Sequence, residues 1–175
     1  MKSLALFGLL ALSVVAAACG SDSNTPTTPS LAASATFTSA LRASSEVPPI
    51  TGDEANGAGT ATLTFNLTRD AAGTITAATM DATVSVQGFP AGTALTASHI
   101  HPGVIGASGG VFVSLGLAAG EVTFATGSGS FTKRGVPLTA EEANSILANP
   151  AGFYLNIHTA ANPGGAARGQ LTRMQ

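Results

Sequence analysis

Between Gly59 and Asp70 the chain reads GTATLTFNLTRD, and apolar and polar positions alternate along it. Ala61, Leu63, Phe65 and Leu67 share one side; Thr60, Thr62, Thr64, Asn66 and Thr68 share the other. A period of two is the signature of a β-strand with one wet face. Asp70 and Gly73 supply turn chemistry, and Met80, Ala82, Val84 and Val86 resume the pattern. Ile75 and Ala77 are out of phase with them, which predicts a bulge or break near Ala78. The two runs form a hairpin. Further strands are predicted over 35–43, 96–101, 110–115, 121–126, 128–133, 152–159 and 167–173. Short strands separated by glycine predict an all-β fold: a single antiparallel β-sandwich or barrel, Greek-key-like. One helix interrupts it, near 139–149. Thr139 and Glu142 form a capping-box pattern, Ile146 and Leu147 give an apolar side, and Pro150 stops it.

Ahead of the strands the pattern differs. Lys2 is followed by an apolar run from Leu4 to Ala18 that ends in small residues. This is the form of a secretory signal peptide over 1–18 and is short for a membrane span. Cys19, the one cysteine, sits where cleavage would fall. Ala16-Ala17-Ala18-Cys19 resembles a bacterial lipobox, with Ala16 where that motif more often has Leu. The resemblance implies a diacylglycerol on the Cys19 sulfur; the other reading is an ordinary signal and an unmodified thiol. Residues 20–34 (GSDSNTPTTPSLAAS) have no apolar period and read as a flexible Ser/Thr/Pro tether. The expected organisation is a leader (1–18), a lipidated Cys19 with its linker (19–34), and one folded domain (35–173). The expected location is the cell envelope, with the membrane as partner through the lipid anchor. Gly20 rather than Asp after the cysteine leaves outer-membrane delivery open.

Composition narrows the function. Charged residues are 9% of the chain, against about 25% in an average soluble domain. Seven basic residues stand against nine acidic without a basic cluster, so no nucleic-acid partner is expected. With 45% hydrophobic residues the chain is rich enough in apolar surface to form a core.

Three histidines stand out. His99 and His101 lie in TASHIHPG, and His158 in FYLNIHTAANPGG, each of the last two directly after an isoleucine. On a strand, His99 and His101 share one face about 6.5–7 Å apart. In the second stretch Tyr154, Asn156 and His158 share a face opposite Phe153, Leu155 and Ile157. If Ile100 and Ile157 both point inward, all three imidazoles point outward. On neighbouring strands they would converge and hold copper or zinc with one position open. The plainer reading is three rings hydrogen-bonded separately at strand ends.

Taken in order, ASSEVPP (43–49), GTATLTF (59–65), ASHIHPG (97–103), GVFVSL (110–115), LTAEEANSIL (138–147) and GFYLNIHTAANPGGAARGQL (152–171) carry a resemblance. The stretch 35–173 resembles the chordin-type domain, CHRD, named for repeats in the secreted vertebrate protein chordin and found also in bacterial exported proteins. The resemblance implies an all-β domain of poorly defined biochemical role. It marks Glu46, Pro48, His99, His101, Asn156, His158, Arg168 and Gln170 as motif positions. The family usually reads Gly-Gly-Glu-Ile-Arg-Gly-Gln where this chain has Gly164-Gly165-Ala166-Ala167-Arg168-Gly169-Gln170. Glu46 is thereby left as the motif carboxylate available to Arg168 or to a histidine.

No Ser/His/Asp ordering, paired carboxylates or phosphate loop stands out, so the first expectation is a non-catalytic binding or structural module whose protein partner is unidentified. The second, from a different class, is a copper- or zinc-binding redox protein. A His-x-His strand is similar to the copper ligands of copper/zinc superoxide dismutases, but that chemistry asks for more histidines, a zinc-site Asp and a disulfide. In either case Arg168 is expected to hold loop carbonyls or the Glu46 carboxylate.

Overall fold

The computed structural model describes residues 32–175. Cys19 and the leader lie outside the described residues, and of the linker only 32–34 are described, Ser34 already opening the first strand.

The alternating stretch forms β2 (Ala58–Arg69), which pairs along its length with β1 (Ser34–Arg42) and β3 (Ile75–Gln87), both antiparallel. The phase break falls at Thr76 and Ala77, two consecutive exposed residues, with the register shift opposite them between Thr68 and Arg69. β4 (Thr93–Pro102), β8 (Phe153–Thr159) and β9 (Ala167–Arg173) carry the sheet on from β1, while β7 (Gly129–Leu138) adds beyond β3. Strands expected over 110–115 and 121–126 shrink to two residues each, β5 (Val113–Ser114) and β6 (Thr123–Phe124), both on β4. Glycine and irregular backbone take up the rest of those segments. The order β5-β4-β8-β9-β1-β2-β3-β7 makes one antiparallel sheet curled into a nearly closed barrel.

Inside it lie Phe37, Leu63, Phe65, Met80, Ile100, Leu155, Ile157 and Leu171, each at most 1% exposed. Phe37 and Phe65 meet with ring centroids 4.9 Å apart. The helix α1 (Ala140–Ala148) has both halves of its capping box. The Glu142 amide donates to Thr139 Oγ1 at 3.1 Å, and the Thr139 amide donates to Glu142 Oε2 at 2.7 Å. The helix buries Ala143 and Ile146, with Leu147 partly buried against the core. Among the described residues no helix is long and apolar enough to cross a membrane.

The sheet departs from a one-sided pattern at β8, where all seven residues are buried. Leu155 and Ile157 face the core; Tyr154, Asn156 and His158 face the other way and are covered as well, by loops. The β9–β1 closure depends on small residues. A Cβ at Gly169 would run into the backbone oxygen of Ala40. Gly169→Ala is therefore expected to lower stability by about 1–3 kcal/mol, read as a reduced urea midpoint at unchanged slope.

Candidate metal centre

The antiparallel pairing of β4 with β8 sets His99 opposite Asn156, His101 opposite Tyr154, and Ala97 opposite His158. Side chains alternate along a strand, so all five polar side chains share one face. Ile100 and Ile157 are both fully buried in the core, and this fixes the histidines on the outer face. β9 adds Arg168 beside Asn156 and Gln170 beside Tyr154.

The three imidazoles converge. One ring nitrogen from each of His99, His101 and His158 lies within 4.8 Å of the others. The His99 and His158 centroids are 4.8 Å apart, His99 and His101 5.6 Å, His101 and His158 6.1 Å. Backbone carbonyls orient two of the rings. His101 Nδ1 donates to Gly109 O at 3.0 Å, and His158 Nδ1 donates to Pro163 O at 2.9 Å. A carbonyl can only accept, so each Nδ1 carries a proton. His158 Nε2 then accepts from His99 Nδ1 at 3.0 Å. His101 Nε2 is buried with no partner among the described residues. Burial above all, with the neighbouring imidazoles adding, holds His99 down to about 4. Burial likewise lowers His158, against the opposing pull of the Pro163 carbonyl. Both rings are thus neutral at pH 7, the form that binds metal.

The ring orienters are carbonyls from two loops, not Glu46 or Asn156. The 102–112 loop brings Gly109 over His101, and the Gly109 amide donates to Tyr154 Oη at 3.3 Å. The 160–166 loop brings Pro163 over His158. A buried Glu54 carboxylate holds that loop, accepting from Thr159 Oγ1 at 2.7 Å and Asn162 Nδ2 at 2.6 Å. Glu54 carries no local sequence signal, since its partners are more than a hundred residues away. Gly165 is needed where this loop crosses the site. Its φ is +140°, and a Cβ there would press on Glu46 Oε1 and Asn156 Nδ2.

The remaining motif residues do different work. Arg168 Nε donates to Ser45 O at 2.6 Å and Nη1 to Ala107 O at 3.0 Å. Among the described residues no carboxylate pairs with it, and the one salt bridge joins Lys133 to Glu121. Of the two roles expected for Arg168, the structure has the loop carbonyls. Gln170 Nε2 lies 2.8–3.2 Å from the carbonyls of Ala151, Gly103 and Phe153. Tyr154 joins the centre to Arg168: the His101 ring stacks on it at 5.1 Å and 8°, and the Arg168 guanidinium sits 4.4 Å from its centroid. Alternation placed Tyr154 on this face without revealing that stack.

A family model of the CHRD domain matches residues 37–171. The chain belongs to the CHRD domain family. The match spans every residue of the polar face, from Glu46 to Gln170, so the converging histidines are part of this CHRD domain's body rather than of an appendage. A search of curated proteins gave no match.

Glu46 gives a pH test of the site's burial. It is buried with Oε1 unpartnered, and burial pushes its carboxyl up to about 7 despite the nearby Arg168 charge. Between pH 4.5 and 7 the folded domain keeps a proton that the unfolded chain has released, so this group lowers stability as pH rises. His99 acts in the opposite sense: from pH 6.5 down to 4 the unfolded chain takes up a proton that the folded domain refuses. Glu46→Gln removes the first effect alone. Its melting temperature should match wild type near pH 4.5, exceed it progressively to pH 7, and keep a constant lead above about pH 8. A lead independent of pH would contradict the burial of a titrating carboxyl.

Proposed function

We propose that this CHRD domain is an extracytoplasmic, membrane-tethered module that binds one copper or zinc ion through His99, His101 and His158. The observation that carries the reading is the buried His101 Nε2, left without a partner within a cluster of imidazole nitrogens 4.8 Å across. A buried polar atom with no partner costs about 1–3 kcal/mol, and an ion that took its lone pair would offset that cost. The donor set suits the ion. Two metal–nitrogen bonds of about 2.0–2.1 Å at a tetrahedral angle place their nitrogens about 3.3 Å apart. His99 Nδ1 and His158 Nε2 are already at 3.0 Å. The His99 Nδ1 proton would shift to Nε2 or leave. The Gly109 and Pro163 carbonyls supply the outer hydrogen bonds that metal-bound imidazoles require. Three protein ligands leave a fourth position for water or an exogenous group, the half-exposed His99 giving access.

The role is binding rather than turnover. Among the described residues the imidazoles hydrogen-bond to backbone carbonyls and to one another and not to a carboxylate, which supports binding over acid–base turnover. Copper cycling at the same three ligands is the competing reading, and it differs in requiring a reversible potential for the loaded protein.

The site has its own reporter. Tyr154 is the chain's one tyrosine, there is no tryptophan, and its ring stacks on His101. Copper(II) should quench the tyrosine emission with one equivalent at saturation, and zinc should compete. His158→Ala should weaken binding by more than about 100-fold, beyond the 10–100-fold typical of an outer-shell loss. Equal quenching of His158→Ala and wild type would refute the three-ligand site.

The tether has a separate test. An apolar leader ending in a lipobox-like Cys19, followed by a Ser/Thr/Pro linker, supports a lipid anchor in the envelope. Cys19→Ser should move the protein from the membrane to the soluble fraction, and unchanged membrane retention would remove the anchor from the reading.

A further inference from the structure

Arg168 is 2% exposed, always charged, and has no carboxylate within ion-pair distance among the described residues. Nε and Nη1 are committed to the Ser45 and Ala107 carbonyls, and one face of the guanidinium rests on Tyr154. Nη2 has no hydrogen-bond partner among the described residues. A buried cation of this kind is costly unless something compensates it.

Arg168 lines a cleft of about 580 Å³ that none of the histidines lines, inside the ~300–1,000 Å³ range of small-molecule sites. Its floor is made of small residues, Ala40 and Gly169. Val47, Pro49 and Ile105 are its apolar lining, with Val47 45% and Ile105 85% exposed. Arg168 and Glu46 are the charged residues among those lining it. Glu46 is itself buried with one carboxyl oxygen unpartnered, and burial pushes its pKa up to about 7, toward the uncharged acid that can donate a hydrogen bond to an anion.

We propose that this cleft binds a small organic carboxylate. The carboxylate accepts from Arg168 Nη2, and an aliphatic body of a few carbons lies between Val47, Pro49 and Ile105. A single free guanidinium nitrogen in the cleft suits a monoanion better than a phosphate; Arg42, opposite Arg168 on β1, is not among the residues lining the cleft. The apolar walls select against a bare inorganic ion. The site meets the imidazoles at Tyr154 and stands whether or not they hold a metal. A free organic acid and the terminal carboxylate of a peptide offer the same head group.

The test is an amide NMR titration of the folded protein in a metal chelator. Hexanoate and N-acetylleucine represent the two sources, and hexanamide is the uncharged control. The acids should shift Ser45–Val47, Gly106 and Arg168–Gln170 with saturation, and hexanoate should bind at least ten-fold tighter than hexanamide. Tighter binding of N-acetylleucine assigns the peptide source, and tighter binding of hexanoate the free acid. Arg168→Gln should abolish the preference for the charged ligand. Because Arg168 also holds two loops, Ile105→Asp serves as a second variant. It sets a like charge on the exposed wall, should weaken hexanoate at least ten-fold, and should leave the unfolding transition in place. Equal binding of hexanoate and hexanamide, shifts scattered away from these residues, or wild-type affinity in Ile105→Asp would overturn the proposal.

Discussion

Everything on this polar face of the barrel depends on one arrangement: side-chain donors on the outer face of β4, β8 and β9 hydrogen-bonded to backbone carbonyls, most of them from the loops above. His101 reaches Gly109, His158 reaches Pro163, Arg168 reaches Ser45 and Ala107, and Gln170 reaches Gly103, Ala151 and Phe153. Loop carbonyls buried against an apolar sheet face would go unsatisfied, at about 1–3 kcal/mol each. A polar sheet face lets the loops lie down, and the loops in turn bury the polar face. The same bonds fix ring tautomers, so fold stability and metal readiness share one set of contacts.

The barrel itself was legible in the sequence because one face of each long strand is apolar. Alternation located β2 and β3 to within two residues, and Thr139 with Glu142 marked the helix start. It also located the histidine face, through Ile100 and Ile157. What alternation cannot encode is which strands are neighbours. The 3.0 Å approach of His99 to His158 depends on β4 pairing with β8 in a register set by contacts 59 residues apart. Nor did it foretell that the outer face would be covered. Polar residues on a strand read as solvent-facing, yet Asn156 is 1% and Arg168 2% exposed, because loops rich in Gly and Pro fold over them. Glu54, whose carboxylate anchors one of those loops, was invisible for the same reason: its partners are distant in sequence.

Low charge density gives the few ionisable groups unusual weight. With 9% charged residues, little surrounds the site to compensate a buried ion. Burial dominates all three perturbed groups of the site, raising Glu46 and lowering His99 and His158. With His99 and His158 held neutral and Glu46 pushed toward its uncharged form, Arg168 is the permanent charge buried in this face. The two proposed ligand sites meet at Tyr154: a cation among the histidines, and an anion beside the free guanidinium nitrogen in the cleft.

The central claim is that the three imidazoles act as one ligand set. X-ray absorption at the zinc edge of the protein loaded with one equivalent tests it most directly. A three-histidine centre predicts a first shell at about 2.0–2.1 Å with the outer scattering of three imidazole rings, falling to two rings in His158→Ala. A shell of oxygen ligands with one imidazole or none, unchanged by that substitution, would contradict it.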